Sequence, residues 1–356
     1  LMIPAVLAEL FWSAAVLVAL GTTSAVVLGV EDRTLAILVS SAVAIGYTVL
    51  GGMRAVAYTD VIQMFLILGG LLVAIPFAVS AAGGLGALDP GSFALVDPPG
   101  TPSPFGISRA AISYVDYLAL LALGGIPWNV YFQRVLSAKD EAAAQQLSIA
   151  AGFLCALLTI PPMLLGLAAQ QIDWAVALQG TGIDPQAFVA SMQADATEIL
   201  PNLMRYAIPQ WVGVIGLGAV SAAVMSSVDS SILSGASLVA WNGVRQLIDP
   251  TLDGDRMARL VRVLIVVLGA AATAIALTVG NIGELWYLCG DIVYCVLFPQ
   301  LTLALFDKRS NRTGALAGLA TSVLLRLGGG ETTLGLPAFL PWPDWGDGTP
   351  FPFRTL

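Results

Sequence analysis

Almost the whole chain is written in apolar runs long enough to cross a bilayer. The runs fall at about 1–29, 34–51, 56–82, 111–133, 146–169, 209–245, 257–280, 284–306 and 313–327, the last of them marginal. Crossing the hydrocarbon core as a helix takes about 20 apolar residues. The pattern therefore predicts an all-α polytopic membrane protein with about nine transmembrane helices. Only 11% of the residues are charged, against roughly 25% in ordinary soluble domains, which leaves lipid as the natural solvent. Between the runs lie two long polar or Pro/Gly-rich connections, 83–110 and 170–208, a cationic one around 246–262, and a Pro/Trp-rich tail from 328.

Basic loops stay cytoplasmic, so the placement of Lys and Arg orients the chain. With Leu1 on the cytoplasmic side, Arg54, Arg134, Lys139, Arg245, Arg256, Arg259, Arg262, Lys308, Arg309 and Arg312 fall in cytoplasmic connections, leaving Arg33, Arg109, Arg205, Arg326 and Arg354 outside. The two long connections and the tail then face out. The run at Leu1 has no charged segment ahead of it, so it reads as an internal stretch of a longer membrane protein rather than as a signal peptide.

Several function classes fall away. The net charge is −8 and no basic face is present, so nucleic acid is not a partner. Cys155, Cys289 and Cys295 each lie inside an apolar run, and the chain has no histidine. That removes most zinc sites, Cys/His nucleophile pairs and Ser-His-Asp triads, and an enzyme is not expected.

The segment LALLALGGIPWNVYFQRVLSA, residues 118–138, starts as a membrane helix and then places Gly124, Gly125 and Pro127 directly before Trp128. A break strands backbone N–H and C=O groups, which persist in a membrane only where protein, water or a ligand satisfies them. Broken helices at mid-membrane supply ion and substrate ligands in secondary transporters, although a simple packing kink explains Gly and Pro equally well.

Residues 216–237, GLGAVSAAVMSSVDSSILSGAS, hold seven serines and Asp229 in one apolar segment. A carboxylate there costs about 2.5–3.5 kcal/mol on insertion scales, and a hard cation held by hydroxyls, carbonyls and the acid is its natural partner. A small-residue helix interface explains the serines but not Asp229. In residues 51–70 a Gly-Gly turn leads into a helix on which Thr59, Asp60 and Gln63 can share a face, with Asp60 equally suited to a helix entry. Glu9 and Asp291 also interrupt apolar runs. Trp12, Trp128 and Trp286 or Tyr287 are candidates for a ring cage around a quaternary ammonium. Trp174, Trp211, Trp342 and Trp345 read as interfacial anchors.

GGMRAVAYTDVIQ resembles the signature of the sodium/solute symporter family. LGGIPWNVYFQRVLSA, GLGAVSAAVMSSVDSSILS and LWYLCGDIVYCVLFPQL resemble its high-affinity choline transporter branch, and AELFWSAA, LRLGGGE and FPFRTL extend the likeness essentially end to end. The resemblance implies an inverted-repeat (five-plus-five, broken-helix) transporter fold in a single domain, 1–356. In it, 1–82 would be the last three helices of repeat one, 111–306 the five of repeat two, 313–327 an additional helix and 328–356 an extracellular segment. The two earlier helices of repeat one, which complete the site in this family, are not in the chain.

The resemblance further implies that Ala223, Ser226 and Ser227 line a sodium site. Asp229 and Asp60 would belong to a second cation site or its gating network. Trp12 and Trp128 would surround a trimethylammonium group, with Gly124 and Gly125 letting the backbone unwind beside it. The expected activity is sodium-coupled symport of choline or a related quaternary amine by a multi-pass protein of the plasma membrane. Ala-rich loops point to a bacterial inner membrane. Proline, a sugar or a carboxylate as solute, or a transporter-like membrane sensor, are the alternatives. Chloride dependence and oligomeric state are left open by the residues.

Overall fold

The computed structural model describes residues 1–29, 32–89, 91, 108–279, 281–345 and 351, with the backbone alone at 27–28 and 53–55. Arg354, the Arg54 side chain, most of FPFRTL and much of the 83–110 connection lie outside that description. Among the described residues, eight helices are long and apolar enough to cross a membrane. The marginal ninth run forms a helix of 17 residues, Arg312–Gly328.

In chain order the helices are α1 (Met2–Leu28), α2 (Arg33–Gly52), α3 (Val56–Ala81), α4 (Arg109–Gly124), α5 (Asn129–Leu136), α6 (Glu141–Leu158), α7 (Ile160–Gln171), α8 (Pro185–Ala194), α9 (Gln210–Leu238), α10 (Gly254–Val279), α11 (Ile282–Asp291), α12 (Phe298–Phe306) and α13 (Arg312–Gly328). α2 and α3 form one rod bent at Gly52, where φ is +59° and ψ −168°. Glycine reaches that region without a Cβ penalty, which accounts for the Gly-Gly signal before Arg54.

Small residues decide which helices meet. α1 is central, packed against α2, α9, α10 and α11, with Ala8, Ala14, Ala15 and Leu17 buried. Alanine and glycine let membrane helices approach closely. α9 lies along the α2–α3 rod on the same principle: a Cβ at Gly70 would stand 2.6 Å from Ala219 Cβ and 3.0 Å from the Ile215 carbonyl. A second apolar cluster, including Leu71, Ala78, Leu165, Trp174 and Met204, gathers α3, α7 and the 170–208 connection at the start of α9. Large side chains such as Leu50, Phe153 and Phe306 are exposed on the outside of the bundle, as lipid-facing positions should be.

Two expectations change here. Trp174 is not an exposed anchor: it is buried, and its Nε1 donates to the Ala169 carbonyl at 3.2 Å. Trp211 is 58% exposed and stays compatible with an interfacial role. Asp291, left between cavity and structure by its sequence, pairs with Arg326 of α13, whose guanidinium also reaches Glu331 at 2.6 Å. Burial alone would raise Glu331, but hydrogen bonds from Thr333 and Arg326 outweigh it and hold the carboxyl below its ordinary range.

Candidate functional site

The break after α4 is real. α4 ends at Gly124; the Gly125 N–H still bonds the Leu121 carbonyl, Ile126 and Trp128 reach back only three residues, and α5 begins at Asn129 with Trp128 as its N-cap. Pro127 has no N–H to continue the ladder. The glycines play a different part from the expected unwinding. Gly125 keeps an ordinary right-handed φ of −64°, so it needs no special backbone freedom. A Cβ on Gly124 would stand 3.2 Å from Tyr294 Cβ and 3.5 Å from the Gly290 carbonyl. Gly124 is small so that α4 can touch the end of α11.

The break opens on a cavity of about 580 Å³ whose wall includes Trp12, Asp60, Gly124, Gly125, Trp128, Arg134, Ser226, Ser227, Ser230, Ser231 and Trp286. Residues from α1, α3, α5, α9 and α11 thus converge. Trp12 meets Trp128 edge-on at 6.0 Å between centroids and 82°, and lies 6.4 Å from Trp286. Tyr287 stacks on Trp286 at 5.6 Å and 16°, and Tyr117 lies 4.8 Å beyond it. A ring face turned to the cavity attracts a cation, at about 0.5–2 kcal/mol per ring.

The polar side of the cavity is a network across α3, α5 and α9. Ser226 Oγ donates to Asp60 Oδ1 at 2.5 Å. Arg134, in the last turn of α5, reaches Asp60 Oδ2 at 3.4 Å and donates to Ser230 Oγ at 2.6 Å. Ser227 Oγ donates back to the Ala223 carbonyl at 3.1 Å, the intrahelical bond open to a membrane serine.

Of the expected site residues, Trp12, Trp128, Gly124, Gly125, Asp60, Ser226 and Ser227 come together on one cavity. Ala223 and Asp229 do not line it. Asp229 is fully buried on α9 and accepts the Tyr47 hydroxyl of α2 at 2.7 Å. Its partner is thus a phenol rather than a cation. Arg134, Tyr47 and Glu9 are the residues sequence reasoning did not place. Arg134 reads as a cytoplasmic charge, Tyr47 as one more aromatic in an apolar run, and only Glu9 carried a signal, as an acid one turn from Trp12.

The family model of the sodium:solute symporter family matches residues 5–321, and the chain belongs to that family. It is 43% identical over 361 residues to high-affinity choline transporter 1 of Caenorhabditis elegans, which covers 99% of this chain and 60% of that one. Against the human high affinity choline transporter 1 the identity is 40% over 366 residues, with coverage of 100% and 61%. The Vibrio parahaemolyticus sodium/glucose cotransporter is 28% identical over 296 residues, with coverage of 79% and 54%. The chain thus spans about three fifths of the choline transporters it matches. Among solved structures, a Na+-coupled sialic acid symporter in a substrate-bound outward-open state superposes with a TM-score of 0.69 at 19% identity, over 92% of this chain and 68% of that one. That likeness shows the fold: an integral membrane, broken-helix transporter architecture of the inverted-repeat class.

Proposed function

We propose that the protein carries choline or a related quaternary amine across the plasma membrane together with sodium. The observation behind this reading is the convergence of Trp12, Trp128 and Trp286 on the same cavity as Ser226, Ser227 and Asp60. An aromatic cage suits a cation that cannot donate hydrogen bonds. Hydroxyls and a carboxylate suit a hard metal ion. Proline, a sugar or a carboxylate would call instead for directed hydrogen bonds or a basic group, and Arg134 is already engaged with Asp60 and Ser230. The choline-transporter names of the relatives support the same choice.

On this reading residues 1–82 hold the last three helices of one repeat and 111–306 the five of the other, with α13 added outside. Sodium would be held on α9 by Ser226, Ser227 and Ala223. Coupling then follows from the different affinities of the inward and outward states for ion and substrate. Sodium is the driving ion, and replacing chloride by gluconate reads any chloride requirement directly. The plasma membrane is the reading kept, and the animal choline transporters among the relatives do not favour the bacterial inner membrane expected from the Ala-rich loops.

The test is uptake of radiolabelled choline by the intact protein in proteoliposomes. Uptake driven by an inward sodium gradient, and displaced by excess choline but not by proline or glucose, is the expected result. Displacement by proline or glucose and not by choline overturns the substrate, and gradient-independent uptake overturns the coupling.

A further inference from the structure

The helix break that builds the cage also creates an electrostatic problem for the substrate proposed above. α5 starts at Asn129, and its N-cap, Trp128, provides no side-chain cap. A helix N-terminus carries roughly half a positive charge on its unpaired N–H groups. Half-helix N-termini in transporters point at anionic groups for that reason. Here the positive end lies at the very tryptophan expected to hold a cation.

Glu9 stands against that end. It projects from α1 one turn before Trp12 and is 3% exposed. Val130, in the first turn of α5, and Ser231 of α9 stand beside its carboxyl group. Ser234 Oγ donates to Oε1 at 2.8 Å, and Asn129 Nδ2 holds Ser234 in place at 2.6 Å. Ser13 Oγ, donating to the Glu9 carbonyl at 2.7 Å, fixes the backbone from which the side chain springs. Val130 and Ser231 line the cavity, so the carboxylate sits one layer behind its wall. The other carboxylate at that wall, Asp60, is engaged by Arg134, whereas Glu9 Oε2 is buried with no hydrogen-bond partner.

We infer that Glu9 sets the charge preference of the cavity: its carboxylate cancels the positive end of α5 behind Trp128, so that a quaternary ammonium is accepted where an uncapped half-helix would favour an anion. The inference rests on the quaternary-amine reading and assigns Glu9 a role through space, without substrate contact. Charges a few ångströms apart behind a thin apolar wall interact strongly enough to change affinity by about tenfold.

The test compares choline with its uncharged carbon isostere, 3,3-dimethyl-1-butanol, as competitors for binding to the intact protein. In Glu9→Gln, choline affinity is expected to fall about tenfold while the isostere changes less than twofold, because shape and rings are unaltered. Should that variant fail to accumulate, Ser234→Ala removes the hydroxyl that donates to the carboxylate and is expected to lower the choline-to-isostere preference in the same direction. An equal loss of both ligands shows a purely structural Glu9 and overturns the inference. An unchanged preference in either variant overturns it as well. Wild-type protein that binds neither compound overturns the quaternary-amine reading, and the inference falls with it.

Discussion

Two buried charge clusters in this molecule are built on opposite plans. At the junction of α11 and α13, Arg326 stands between Asp291 and Glu331, each of the three side chains at most 6% exposed. Thr333 N–H adds a bond to Glu331 at 3.0 Å. Around the cavity, Glu9, Asp60 and Asp229 are spread over α1, α3 and α9, and among the described residues Arg134 is the arginine in their network. Glu9 Oε2 and Asp229 Oδ1 are buried without partners. The outer cluster sets one arginine between two acids, so that its charge is nearly cancelled, although Arg326 Nη1 is itself buried without a hydrogen-bond partner. The inner one carries an excess of acid and hydroxyl oxygen beside open space, which is what a passage for cations requires. A buried charge is costly in either place, but only in the second is the cost left to be offset by something that enters.

That contrast can be broken. Arg326→Ala takes the guanidinium from between two buried acids, Asp291 and Glu331, a loss of about 3–5 kcal/mol. The expected outcome is a large drop in melting temperature in detergent, with any protein that survives keeping its sodium dependence. A shifted sodium dependence without loss of stability would move this cluster into the working machinery.

The inner region is tested by ligand rather than by melting. Trp128→Ala removes one ring of the cage and should weaken choline binding by about tenfold while leaving the sodium concentration for half-maximal binding nearly unchanged. Equal losses would mean that Trp128 holds the helices and not the substrate. Ser227→Ala should act least. Its hydroxyl donates to the Ala223 carbonyl of its own helix, and a single polar contact in a membrane protein averages about 0.6 kcal/mol. The half-saturating sodium concentration in transport assays should therefore rise about threefold, with choline affinity at saturating sodium preserved. No change in sodium dependence would return Ser227 to the role of a packing serine.

The sites differ in how far they could be read beforehand. A break announces itself locally, because Pro127 cannot donate and Gly-Gly precedes it, and the structure places the helix ends within a residue or two of that reading. Why Gly124 is glycine was not legible, since the reason is Tyr294, 170 residues later. Asp229 was legible as an oddity but not as a partner of Tyr47, because a carboxylate's partner lies across a helix interface. Arg134 was misread for the same reason: a basic residue near a helix end obeys the orientation rule, whatever its guanidinium touches. Trp174 looked like an anchor until the 170–208 connection covered it.

Solvent class, the approximate number of helices and the position of the break follow from the sequence alone, because each depends on residues adjacent along the chain and on the thickness of a bilayer. Which acid meets the arginine, which acid stands behind the cage and which tryptophans share a cavity depend on the close packing of α1, α3, α5 and α9. Alanine, glycine and serine bring those helices together, and small side chains specify contact without specifying a partner, so only the folded bundle decides it.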